Sequence, residues 1–161
     1  MKKAIAYTSD IVLGRTGEVI TRSYQAEIIR KHAEEAGIEI VAWFEDEMYN
    51  ENVLARPGVK SMLAFNEQYD VVLTERAWAF SRSMAVLEEF FKELDRRGKT
   101  FHAATTMWDC VSQKVRRRFN PSLPAPKFDA QTVEATIAVK VLKPKHMHFA
   151  GLAKRANAQR P

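Results

Sequence analysis

Val71-Val72-Leu73-Thr74-Glu75-Arg76-Ala77-Trp78-Ala79-Phe80-Ser81-Arg82-Ser83 decides how this chain folds. It opens as a short, apolar, β-branched run and so reads as a buried strand, with about residues 69–75 in the same element. It then leads into the clearest helix of the chain. Over about residues 82–97, Met84, Leu87, Phe90, Phe91 and Leu94 recur at helical spacing, and Gly98 stands just past the end, where a left-handed residue closes a helix.

The same alternation extends outward in both directions. Residues 3–8 (KAIAYT), 38–44 (IEIVAWF) and 100–105 (TFHAAT) read as further strands. A helix is expected over about 22–36, with Tyr24, Ile28, Ile29, His32, Ala33 and Ala36 on one face and Gly37 as its stop. Another opens at Pro57, a good first helical residue, and turns Val59, Met62, Leu63 and Phe65 inward. Strands alternating with helices of this length give βαβ units: an α/β fold with a largely parallel sheet covered by helices on both faces. Residues 9–21 form a longer connection than most, and such loops often carry function.

Composition narrows the function classes. The 161 residues suit one domain with an appendage, and 46% hydrophobic with 28% charged residues excludes a chain disordered throughout. No apolar run approaches the roughly 20 residues of a membrane helix, and the first residues turn polar too soon for a signal peptide, so a cytoplasmic, non-membrane protein is expected. The single cysteine, Cys110, rules out an intrachain disulfide and a cysteine-built zinc site. No cofactor and no metal site are expected.

Charge divides the chain. Residues 1–109 hold 14 Lys and Arg against 18 Asp and Glu, whereas residues 110–161 hold 11 against 2. We expect a domain over 1–106 and a basic C-terminal extension over 107–161, with a Pro-rich linker at 120–126. Lys114, Arg116, Arg117 and Arg118 have the charge density that suits a nucleic acid, and Phe119 could stack on a base. The alternative is a solubilising face. A helix beginning at Asp129 is expected over 129–142, and residues 143–161 have little apolar content.

Three local patterns, jointly spaced, resemble the N-terminal catalytic domain of serine recombinases, the resolvases and invertases. Tyr7 ends the first strand where the family has Tyr-x-Arg-x-Ser, and Gln25 lies in the next helix, where the family often has glutamine. Asp46 followed by Arg56-Pro57-Gly58-Val59 resembles the family's Asp and Arg-Pro-Gly-Leu. The stretch 71–83 resembles the family's strand and loop ending in Asp-Arg-Leu-Ser-Arg-Ser. The likeness covers about residues 3–105 and implies a resolvase-like fold.

It also implies a chemistry: a serine hydroxyl attacks a DNA phosphodiester while clustered arginines stabilise the phosphate. Here the arginine position of the first motif is Ser9 and the nucleophile position is Ile11, while the second motif's aspartate and first arginine are Trp78 and Ala79. The expected function is therefore a catalytically inactive recombinase-like module. It would bind DNA through its basic C-terminal third or regulate a partner, such as an active recombinase of a mobile element, and it could form a homodimer. Gln25, Arg56 and Arg82 would be the remnant of a phosphate site. The alternatives are an enzyme acting on a phosphate-containing ligand through Ser9, Arg56 and Arg82, and a pure protein-interaction module.

Other groups read more plainly. His32 and His102 are expected as core histidines, and His146 and His148 lack a third ligand. Glu45, Asp46 and Glu47 suggest a solvated loop. Trp78 and Phe80 are either a partner surface or the filling of volume left by missing arginines.

Overall fold

The computed structural model describes residues 1–47 and 50–123. Its main unit comprises residues 1–11 and 21–123. Four parallel strands build the sheet: β1 (Lys2–Ser9), β4 (Ile38–Asp46), β5 (Val71–Thr74) and β6 (Thr100–Ala103), in the order β4-β1-β5-β6. Between β1 and β4 in the chain come β2 (Ile11–Val12) and β3 (Val19–Ile20), which form a separate two-stranded sheet.

The expected loop over 9–21 is thus partly ordered. Within 12–20 the chain turns on itself: Leu13 N–H donates to Glu18 O at 2.8 Å, and Gly17, at φ +69°, donates to Leu13 O at 3.0 Å. The β-branched pairs at either end, Ile11-Val12 and Val19-Ile20, favour extended backbone once the turn is closed.

Four helices follow the pattern of the sequence: α1 (Arg22–Ala36), α2 (Pro57–Ala64), α3 (Met84–Arg96) and α4 (Cys110–Phe119). Thr21, Ser83 and Asp109 cap α1, α3 and α4 with their side-chain oxygens, and Gly37, at φ 68°, ends α1. β1 is central and its residues 4–9 are all buried, as in a strand covered on both faces. On one face Ala4, Ala6, Val71 and Leu73 pack with Ile29 and Ala33 of α1. On the other lies an aromatic stack, in which Phe80, Phe90 and Phe91 meet Phe101, and Phe119 of α4 closes on Phe91 at 4.9 Å.

Helices therefore cover both faces of a parallel sheet, as expected, and the main unit runs on through α4. Two assignments change. His102 is exposed and His32 half-buried, so neither is a core histidine. The buried stripe of α1 is Gln25, Ile29 and Ala33, which turns a polar residue inward in place of His32. The expected helix over 129–142, residues 124–126 of the linker, the extension to 161 and the His146-His148 pair lie outside the described residues.

Candidate functional site

In the strand order β4-β1-β5-β6, the chain moves from β1 to one side and then returns to the other. Open parallel sheets hold ligands at such a reversal, outside the carboxyl ends of the strands. Ser9 ends β1 there, and Glu75 and Arg76 follow β5, succeeded by a 3-10 turn over Ala77–Ala79 and then Phe80.

The crevice is filled by the chain's own backbone. Ser9 is fully buried, and its Oγ donates to Ala79 O at 2.5 Å. Gln25 Nε2 donates to Ser9 O at 2.6 Å. Arg56 is 1% exposed; its Nη1 donates to Ala79 O at 2.8 Å and to Tyr7 Oη at 3.2 Å, its Nη2 to Phe80 O at 2.5 Å, and its Nε to Asn50 O at 2.6 Å. The structure brings Ser9, Gln25 and Arg56 together, but around carbonyls, where a guanidinium fork is engaged by neutral acceptors.

Arg82 does not join them. It is exposed, and its guanidinium lies 4.2 Å from the centroid of the Trp78 ring, whose indole N–H reaches Asp109 Oδ1 at 3.4 Å.

A carboxylate anchors the buried cluster. Asp46, at the end of β4, accepts the Tyr7 hydroxyl at 2.8 Å and the Gly58 N–H at 2.7 Å. It is buried, which corrects the solvated-loop expectation for this residue; Glu45 and Glu47 are exposed. Burial pushes the Tyr7 phenol well above its ordinary range; Arg56 opposes this, and the bond to Asp46 adds to it. Gly58 is required by close approach, because a Cβ there would overlap the Glu45 carbonyl and the Asp46 carboxylate. In Arg56-Pro57-Gly58, then, the arginine is a buried clamp, the proline begins α2, and the glycine donates its N–H to Asp46.

The positions that the resemblance gives to arginines, Ser9 and Ala79, are both without solvent exposure and share one hydrogen bond. Ile11, at the nucleophile position, is buried too. Phe80 stacks on Tyr7 at 4.3 Å and on Phe90 at 4.6 Å, so of its two readings the structure takes the filling of interior volume. The buried Glu75–Arg76 ion pair, at 2.7 Å, lies beside this cluster and was not signalled by any pattern in the sequence.

On α4, Lys114 and Arg116 are exposed and Arg117 is half-buried. Arg118 turns to α3, where it pairs with Glu88 at 2.9 Å and Asp95 at 2.7 Å. A cleft of about 790 Å³ at the carboxyl end of β1 and β4 is lined by Arg22, Arg30, Trp43 and Glu45 among others. Its charges are mutually engaged: Arg22 contacts Asp10 and Glu45, and Arg30 lies 4.7 Å from the centroid of the Trp43 ring. Among the described residues no group of three or more His, Cys, Asp or Glu could hold a metal, and no helix is long and apolar enough to cross a membrane.

Comparison with known proteins adds to the geometry. The model of the resolvase N-terminal domain matches residues 19–118. Among solved structures, the N-terminal catalytic domain of TP901-1 integrase is similar at 18% identity and a TM-score of 0.57, covering 90% of this chain and all of that one. The C-terminal catalytic domain of ISC1926 TnpA, an IS607-like serine recombinase, is similar at 13% identity and a TM-score of 0.53, covering 97% of each chain. A resolvase family site-specific recombinase from Streptococcus pneumoniae is similar at 13% identity and a TM-score of 0.51, with both chains covered throughout. At these identities the likeness is one of fold. No curated protein sequence matches the chain.

Proposed function

The chain belongs to the resolvase N-terminal domain family, and from that premise we propose that it is a recombinase-like protein without recombinase chemistry, acting in the cytoplasm by binding DNA. The observation that carries the first half is the Ser9–Ala79 contact, which occupies two arginine positions with small, buried, mutually bonded residues. Removing one preorganised donor costs roughly 10²- to 10³-fold in rate, and here two arginines and the nucleophile are replaced. Of the two retained arginines, Arg56 is engaged by carbonyls and Arg82 lies over the Trp78 ring.

For binding, the support is charge. Lys114 and Arg116 are exposed on α4, and the chain beyond residue 109 carries 11 basic residues against 2 acidic. The folded domain would contribute contacts to a second copy or to another protein, including an active recombinase of a mobile element. A gel shift with duplex DNA titrated with salt tests the binding. Affinity falls steeply with salt, and Lys114→Ala with Arg116→Ala lowers the slope of log K against log salt by about 2. No shift even at low ionic strength overturns the DNA reading in favour of a protein-interaction module.

The enzymatic alternative requires Ser9, Arg56 and Arg82 to meet one phosphate. The burial of Ser9 and the separate stacking of Arg82 on Trp78 weigh against it.

A further inference from the structure

His32 on α1 and His102 on β6 are 70 residues apart in sequence, yet their Nε2 atoms stand 3.0 Å from each other. Their ring centroids are 4.9 Å apart, farther than the two nitrogens, so the Nε2 atoms face one another. Both imidazoles line one cleft of about 680 Å³, together with Lys2, Thr100, Thr105 and Arg116. His102 is exposed and His32 half-buried, so a hydrated ion can reach both.

The rings are 29° from parallel, and the separation of their Nε2 atoms is close to that of two ligands on one ion. Two imidazole nitrogens bound to one Zn²⁺ at about 2.0–2.1 Å with tetrahedral angles lie about 3.3 Å apart, within a few tenths of an ångström of the observed separation. Imidazole is a ligand shared by Zn²⁺, Ni²⁺ and Cu²⁺, and it does not suit Mg²⁺ or Ca²⁺, which take oxygen. Without a metal, one Nε2–H donates to the other Nε2. With a metal, both rings carry their proton on Nδ1 and both Nε2 lone pairs bind the ion.

We propose that His32 and His102 form a two-histidine site for a divalent late transition metal, with water in the remaining positions, which ties α1 to the edge strand β6. Among the described residues no further His, Cys, Asp or Glu completes a three-ligand set, so the ion keeps exchangeable positions facing the cleft.

The test is calorimetric titration of the full, chelator-treated chain with ZnCl₂ at neutral pH. Three variants accompany it: His32→Gln, His102→Gln, and a control in which His146 and His148 are both changed to Gln. The expected result is one site that persists in the control. In each single variant it weakens by more than about tenfold, the lower end of what even an outer-shell substitution costs. A thermal melt accompanies each titration, since metal should raise the Tm of the wild type and the control but not of the single variants. Zinc binding that is unchanged in His32→Gln and His102→Gln, or that vanishes in the control, overturns the proposal, as does no binding to the wild type.

Discussion

Arg56 sits where a phosphate-binding arginine is expected from the resemblance, yet its donors end on the carbonyls of Asn50, Ala79 and Phe80 and on Tyr7. Removing it takes the side-chain donor from the buried Phe80 carbonyl, at about 1–3 kcal/mol, leaves Ala79 O with Ser9 Oγ alone, and opens a cavity where a fully buried side chain stood. Arg56→Ala should therefore lower stability by about 3 kcal/mol or more, measured by urea denaturation. Arg56→Lys should recover little, because one ammonium cannot replace a planar fork. A variant that keeps its stability but loses affinity for DNA would instead give Arg56 a ligand. Tyr7 offers a second residue-scale check. Its folded-state pKa lies above the ordinary value of about 10, so the stability from its neutral phenol is complete below pH 10 and is lost as pH rises beyond that. In a spectrophotometric titration, at least one of the four tyrosines should ionise only as the protein unfolds. Tyr7→Phe should remove that coupling.

Elements were legible wherever a periodic pattern was strong. β1, β4, β5 and β6 and helices α1 to α3 lie where apolar spacing, Pro57, Gly37 and Gly98 put them. What could not be read were the meetings between elements. Nothing local in the sequence says that Gln25 turns inward, that Asp46 binds both Tyr7 and Gly58, or that His32 and His102 face each other, because each contact is fixed by sheet order and helix placement. α4 is a case in which charge hid structure: Arg118 counts as part of a basic run, yet Glu88 and Asp95 on α3 hold it. Arg118→Ala should loosen α4 from α3 at a cost of about 1–2 kcal/mol, seen as faster hydrogen exchange across 110–119. Unaltered exchange there would show that Val115 and Phe119 dock the helix without it. The histidine pair predicts a pH effect of definite sign. The folded pKa of His102 is lowered by desolvation of its ring and by His32 and Lys2, so the unfolded state takes up the proton first. Stability should fall as pH drops through about 6.5, and the Tm of His102→Gln should fall less over the same range. Parallel Tm profiles would contradict this.

Across the molecule, a parallel sheet of order β4-β1-β5-β6 has its ligand crevice at the ends of β1 and β5. That crevice is occupied by Ser9, Ala79, Phe80 and the Arg56 clamp. The fold was legible from jointly spaced motifs, and so were the replaced positions. The closure of the crevice was not, since it depends on a 3-10 turn that carries its carbonyls back onto β1. The loss of recombinase chemistry is tested by incubation with supercoiled DNA, followed by denaturing electrophoresis and mass spectrometry for a protein–DNA covalent link. No phosphoserine adduct and no strand cleavage are expected, at protein concentrations that saturate any gel shift. An adduct that is present in the wild type and abolished by Ser9→Ala would contradict it.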